Sequence, residues 1–294
     1  MRCVRPIQAW QTDGGQIVFA ERGKIRRSLT LRCGQCVGCR LERSRQWAVR
    51  CMHEAQLHVS NSFVTLTYDD EHVPRDGSLR YSDFQYFMKR LRLEYGPTRF
   101  YMCGEYGEQF KRPHFHACLF GLYFPDRVLF RETEAGSSIF TSVALTRLWP
   151  HGFSSVGDVT FESAAYVARY VMKKVTGALA DDHYARVDSE SGEMYWLVPE
   201  FTRMSLKPGI GAPWMDRFYP DVFPNDYVLV RGRKCRPPRY YQKWLTSLED
   251  CFTVDSSREA LMTDSFKADS TPERLAVIET VAKSRLSFNR RSLE

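Results

Sequence analysis

Residues 113–121 read PHFHACLFG, an apolar run that holds two histidines one residue apart and stops at a glycine. Its length, its aromatic content and the glycine stop predict a β-strand. Side chains alternate across a strand, so His114 and His116 share one face while Phe115, Ala117 and Leu119 share the other. The chain must therefore build a sheet whose core includes the Phe115 side. The histidine face then offers two imidazoles side by side, either as a polar surface or as part of a metal site.

A neighbouring acid bears on that choice. RFYMCGEYG (99–107) reads as another strand, and a hairpin with 113–121 brings Glu105 to the loop end beside the histidines. Two histidines and one carboxylate suit Mg²⁺ or Mn²⁺, and Zn²⁺ less selectively. Glu108 competes as the third ligand.

SFVTLTYDD (62–70) is β-branched, apolar and aromatic, and reads as a strand followed by a loop with an Asp-Gly turn signal. Ser82 is the expected N-cap of a helix with Phe84, Phe87, Met88 and Leu91 as its stripe, stopped by Gly96-Pro97. Residues 122–139 are expected as loop, and FTSVALTRLWP as a short helix ended by Pro150. GFSSVGDVT (152–160) reads as extended. Ser163 then caps AAYVARYVMKKVTG, a helix running to Gly177. PGIGAPW (208–214) is a tight loop, and the tail from about 244 is helical, with Pro272 in a first turn. The order predicts an α+β fold, ferredoxin-like or split-βαβ, with an antiparallel sheet and helices on one face.

In that second helix Tyr166 and Tyr170 are spaced i, i+4, one turn apart on one face, and Lys173 and Lys174 continue it. Val167, Ala168, Val171 and Met172 supply a separate apolar face. A phenol is a poor nucleophile at its ordinary pKa of about 10. It becomes useful where a metal polarises the electrophile and a cation steadies the phenolate.

Nine cysteines with no leader-like apolar segment at the amino terminus argue for thiols or metal rather than disulfides. CGQCVGC places Cys33, Cys36 and Cys39 in overlapping C-x-x-C units, which suits a structural Zn²⁺. The fourth ligand is open, with Cys3 the first choice and Cys51 or His53 the others. Net charge is +7. Arg22 to Arg50 holds nine basic residues against one acid, and Arg203 to Lys243 nine against three. Two basic segments flanking a more neutral centre suit a polyanion such as nucleic acid. Arg43, Arg45 and Arg50 on the first helix, and Arg231, Arg233, Lys234, Arg236 and Arg239 among aromatics, can track a backbone and stack bases. No run approaches the roughly twenty apolar residues of a membrane span, so a soluble intracellular protein is expected.

HFH resembles the His-hydrophobic-His motif of HUH endonucleases, and YVARYVMKK their two-tyrosine motif, with FVTLTYDDEHVP (63–74) similar to the preceding strand motif. CGQCVGCRLERSRQWAVRCMHE, GEYGE, RPHFHACLFG and PGIGAPW extend the resemblance to the replication initiators of small single-stranded-DNA microviruses of the gokushovirus type. That resemblance implies an HUH fold over 61–180, a basic cysteine-rich arm and helix over 1–60, a basic DNA-contacting extension over 181–243, and a charged helical tail over 244–294. It implies Tyr166 and Tyr170 as nucleophiles, and His114, His116 and Glu105 as ligands of Mg²⁺ or Mn²⁺. Lys173 or Lys174 assists; helical geometry hardly separates them. The implied activity is nicking of viral origin DNA through a 5′-phosphotyrosine link, leaving a 3′-OH for a host polymerase, with rejoining into circles. A host helicase and the cytoplasm of the bacterial host complete the picture. A non-catalytic zinc-stabilised nucleic-acid-binding protein, and an HUH relaxase or transposase, are the alternatives.

Overall fold

The computed structural model describes residues 2–107, 110–133, 136–188, 190–260 and 268–288, apart from the side chains of residues 170–173. Residues 1–43 and 252–292 fall in one compact unit and residues 44–251 in another.

In the first unit, β1 (Ile7–Thr12), β2 (Ile17–Val18) and β3 (Ile25–Leu31) form an antiparallel sheet in the order β2-β1-β3. The irregular arm expected for 1–32 is therefore corrected. Its strands escape a periodicity search because β3 carries Arg26 and Arg27, and β1 has only Ala9 fully buried. Helix α1 (Val37–Ala55) begins in this unit and ends in the next.

The second unit is built on a seven-stranded antiparallel sheet. Its strands are β4 (Asn61–Tyr68), β5 (Arg99–Tyr106), β6 (Pro113–Phe120), β7 (Val128–Glu132), β8 (Ser138–Thr141), β9 (Gly152–Asp158) and β12 (Phe201–Met204). The order across the sheet is β12-β5-β6-β4-β9-β8-β7. Its helices are α2 (Tyr81–Tyr95), α3 (Val143–Leu148), α4 (Phe161–Lys173), α5 (Ala180–Tyr184) and α6 (Ala212–Val222). Two small hairpins, β10 (Ala185–Val187) with β11 (Met194–Trp196) and β13 (Val228–Val230) with β14 (Arg233–Cys235), lie outside the main sheet. A 3-10 helix follows at Arg239–Trp244. Helix α7 (Leu248–Ala260) leads back to the first unit, where α8 starts at Pro272 as expected and runs to Phe288. Among the described residues no helix is long and apolar enough to cross a membrane.

Alternation divides the sheet's side chains into two cores. Val64, Leu66, Phe100, Met102, Phe115, Ala117 and Leu119 pack with Phe84, Phe87, Met88 and Leu91 of α2 and Leu145 and Leu148 of α3. Phe63, Tyr101, Cys103, Cys118 and Phe120 pack on the opposite face with Ala48, Cys51 and Ala55 of α1 and Ala164, Val167 and Ala168 of α4. The sheet is thus covered on both faces, not the one expected. His114 and His116 lie on the α1/α4 face and are buried there.

Three local expectations change. Arg80, not Ser82, takes the N-cap position of α2, without a side-chain cap. Helix α4 begins at Phe161, where Thr160 and Ser163 form a reciprocal capping box: Ser163 N–H donates to Thr160 Oγ1 at 3.1 Å and Thr160 N–H to Ser163 Oγ at 2.8 Å. Ser163 is therefore the third helical residue, and α4 ends at Lys173 rather than running to Gly177. Residues 122–139, expected as loop, contain β7 and the start of β8. β7 is solvent-exposed throughout, so its apolar residues mark no core.

Gly152 shows how closely β9 approaches β4. Its φ is +137°, and a Cβ there would lie 2.3 Å from the backbone nitrogen of Asp69. Gly152→Ala is expected to destabilise the fold by about 3 kcal/mol or more through combined clash and backbone strain. Equilibrium denaturation checks this, and an unchanged midpoint would contradict the approach.

Candidate active site and metal centres

Register brings the polar residues of the α4 face together. In the β5–β6 hairpin Glu105 pairs directly with His114, and Cys103 with His116. On the other side of β6, Thr65 of β4 pairs with His116. Cross-strand partners project from the same face, so Glu105, His114, His116 and Thr65 converge beneath α4.

Hydrogen bonds fix the orientation of each imidazole. His114 Nδ1 lies 3.1 Å from the carbonyl oxygen of Arg112, which can only accept, so Nδ1 carries the proton. His116 Nδ1 lies 2.9 Å from Thr65 Oγ1. The two Nε2 atoms point instead at one carboxylate oxygen, Glu105 Oε1, at 3.3 and 3.5 Å. All three residues are buried. Their ligand atoms lie within 4.8 Å of one another, close enough for one cation. The donor set of two neutral imidazoles and a carboxylate fits a divalent ion. Each outer ring nitrogen is held by a second residue, as ligating histidines usually are.

Tyr166 reaches the same oxygen. Its hydroxyl donates to Glu105 Oε1 at 3.0 Å, and its ring meets that of His116 edge to face at 4.9 Å. The side chains of Tyr170 and Lys173 lie outside the described residues, as does Glu108. Lys174 follows the end of α4 and is half-buried.

The sequence does not single out Thr65, an ordinary strand former in an apolar run. The signal is its even spacing from Phe63 and Thr67, which puts it on the histidine side once the pairing is known. Arg112 is a second addition: its carbonyl orients His114, while its guanidinium holds Tyr68 O at 3.0 Å and pairs with Asp70.

In the first unit Cys3 joins Cys33, Cys36 and Cys39, the four sulfurs lying within 4.8 Å of one another. Cys3 Sγ is 3.7 Å from both Cys33 Sγ and Cys36 Sγ. Tetrahedral zinc with Zn–S bonds of about 2.3 Å needs sulfurs about 3.8 Å apart, so the cluster has the right span. The other two fourth-ligand options fall away. Cys51 is buried beside Cys118, and His53 shares a 2.8 Å hydrogen bond with Tyr241 and stacks on Trp214. Burial opposes ionisation of Cys36. N–H donors from Val4 and Cys39, with the Cys33 and Cys39 side chains, outweigh it and bring the thiol down to about 6. Burial pushes Cys3 up to about 12.

The basic residues separate by environment. Arg43 is exposed. Arg45 donates to Arg236 O at 3.0 Å and to Cys235 Sγ at 3.5 Å. Arg50 is sandwiched between Trp47 and Tyr240, 4.0 and 3.8 Å from their ring centres, and donates to Ile210 O at 2.9 Å. Both serve the fold rather than a phosphate, which corrects the expectation for them. Arg50 belongs to a clamp on PGIGAPW, in which buried Glu54 accepts from Arg99 Nε at 2.5 Å and Gly211 N–H at 2.7 Å. A Cβ on Gly209 would lie 2.4 Å from Tyr240 Oη, and one on Gly211 2.6 Å from Tyr241 Oη. Arg231, Arg233, Lys234, Arg236 and Arg239 are exposed; Arg231 pairs with Glu162, and Arg236 approaches Asp226 at 3.7 Å.

A family model described as replication-associated protein ORF2 matches residues 61–175. Replication-associated protein VP4 of Bdellovibrio phage phiMH2K is 36% identical over 257 residues, covering 83% of this chain and 77% of that protein. Replication-associated protein ORF2 of Spiroplasma virus 4 is 30% identical over 286 residues, covering 88% and 85%. Replication-associated protein ORF4 of Chlamydia phage 1 is 30% identical over 232 residues, covering 75% and 55%. No solved structure matches.

Two outcomes test the centres. Thr65→Val keeps the shape but removes the oxygen on His116 Nδ1, and should weaken Mn²⁺ binding about 10- to 100-fold in a calorimetric titration. Elemental analysis of the purified chain should find one zinc, lost in Cys36→Ser together with a fall in melting temperature.

Proposed function

The chain belongs to the replication-associated protein family of these small phages, and from that premise we propose that it is an HUH-type nuclease that nicks and rejoins the viral origin strand. One observation carries the reading: Glu105 Oε1 accepts from Tyr166 and lies within 3.5 Å of both histidine Nε2 atoms. A nucleophile and a set of cation ligands that share one oxygen suit attack on a phosphodiester.

In this reading the Tyr166 oxygen bonds to the scissile phosphorus, and the bond from phosphorus to the 3′ oxygen breaks. The tyrosine proton ends on that oxygen, giving a free 3′-OH and a 5′-phosphotyrosine link. A divalent ion held by His114, His116 and Glu105 would withdraw charge from the non-bridging oxygens. Tyr166 is presented from a helix whose first turn is locked by its capping box, which supports in-line geometry at little entropic cost. Tyr170, one turn further on, is the second nucleophile. It cleaves the regenerated origin so that the 3′-OH can displace the first tyrosine and close a circle. Lys173 or Lys174 balances charge on the phenolate. Each exchange replaces one phosphodiester by another, so no nucleotide cofactor is consumed.

Arg231, Arg233, Lys234, Arg236 and Arg239 supply phosphate contacts, which set affinity rather than sequence. Host helicase and polymerase would extend the primer in the cytoplasm of the infected bacterium.

Incubation of the full chain with Mn²⁺ and single-stranded origin DNA, followed by a denaturing gel, should give a protein–DNA adduct. Tyr166→Phe and Tyr170→Phe should each abolish circle closure. His116→Ala should reduce nicking at least a hundredfold while most DNA binding remains. Binding without an adduct under any origin sequence would support the non-catalytic alternative.

A further inference from the structure

Beside the nuclease centre, on the same face of the sheet, lies a cavity of about 240 Å³. Its floor is Phe63 and Thr65 of β4 with their partners on β9, Gly157 and Ser155. Gly157 has no side chain and Ser155 a short one, so β9 leaves open the space that larger residues would fill under α4. Ser137, Ser138 and Ile139 close one side, and the first turn of α4 the other.

Three features say what fits. First, Thr65 belongs to both sites: it lines the cavity and its hydroxyl holds His116 Nδ1 at 2.9 Å. Second, Glu162 on the rim precedes Tyr166 by four residues on α4, so the two share a helical face about 6 Å apart along the axis. The cavity therefore opens about one nucleotide step from the tyrosine. Third, the lining is neutral, with an apolar floor at Phe63 and hydroxyls on the walls, and its charges lie at the mouth. There Asp158 pairs with Arg127 at 2.8 Å and Glu162 with Arg231. Carboxylates at the entrance disfavour a phosphate inside. They accept from the amino edge of a base, and the paired arginines suit the phosphates on either side.

We propose that this cavity receives one unstacked base of the nicked strand, flanking the scissile phosphate, and so sets a sequence preference at that position. The proposal rests on the nicking reading above. A base lodged there would fix the strand's register against Tyr166 while its edge is read by hydroxyls and carboxylates.

The test uses the full chain, a pool of random-sequence single-stranded oligonucleotides, and the cavity-filling variants Ser155→Leu and Gly157→Leu. Gly157→Ala is a milder companion, because its Cβ would meet Phe63 at 3.7 Å and Ser138 O at 3.8 Å, both ordinary contacts. Melting temperature and Mn²⁺ binding confirm that each variant is folded with its metal centre intact. Oligonucleotides are recovered in two ways, as covalent adducts with Mn²⁺ and as bound strands without added Mn²⁺, and both pools are sequenced. The wild type should favour one base roughly tenfold at a single position near the linked end. Both leucine variants should lose that preference while keeping preferences elsewhere. If every preference persists in the folded leucine variants, the base pocket is wrong. If no adduct forms, the nicking reading fails on its own. The bound pool then still decides the pocket: a preference erased by the leucine variants upholds it, and one they leave unaltered overturns it.

Discussion

One pairing register holds the site together. Glu105 faces His114 across β5 and β6, and Thr65 faces His116 across β6 and β4. Because side chains alternate with a period of two, every other residue of these strands joins the α2/α3 core and the intervening ones form the chemical face. Phe115 between the histidines, and Phe100 and Met102 on β5, anchor that register by burying large apolar groups. The functional groups need no contacts of their own to hold the strands in place.

The chemical face is not an ordinary polar surface. Helices α1 and α4 cover it, so a carboxylate and two imidazoles sit in a dry layer among Cys103, Cys118 and Phe63. Buried polar groups cost free energy unless partnered, and each one here has a designated neighbour. Arg112 and Thr65 take the outer nitrogens, and Glu105 takes the inner ones and the Tyr166 hydroxyl. Low dielectric strengthens each of these bonds, so the cluster is preorganised rather than assembled on demand. The Cys cluster of the first unit follows the same rule, with backbone N–H groups of Val4, Cys33 and Cys36 aimed at its sulfurs.

Much of this was legible in residue order. His114 and His116 sharing a face, and Glu105 joining them through a hairpin, follow from alternation alone. The stripe of α2 and the start of α8 at Pro272 follow from helical spacing. Other features were not legible, for physical reasons. Cys3 lies thirty residues from Cys33, and only tertiary folding brings them together. The three-stranded sheet hides behind the arginines of β3, and β7 hides because its apolar residues face solvent. Ser82 and Ser163 are good capping residues, yet backbone conformation decides where a helix starts, and in both cases it starts earlier. Arg50 is basic in composition but is held between two aromatic rings. Charge counts cannot distinguish a cation aimed at solvent from one gripping a loop.

The interleaving of core and chemistry along β6 shapes what kinds of genetic change the chain tolerates. Substitutions at Ala117 or Cys118 touch one face each and leave the other standing. Deletion of a single codon between His114 and Leu119 moves every later side chain to the wrong side, trading an imidazole for a phenyl ring and the reverse. In the turn joining β5 to β6, codons added or removed leave both strands in phase. Heritable length variation at this site is therefore channelled into the turn, while the strands can drift only by exchange of one residue for another.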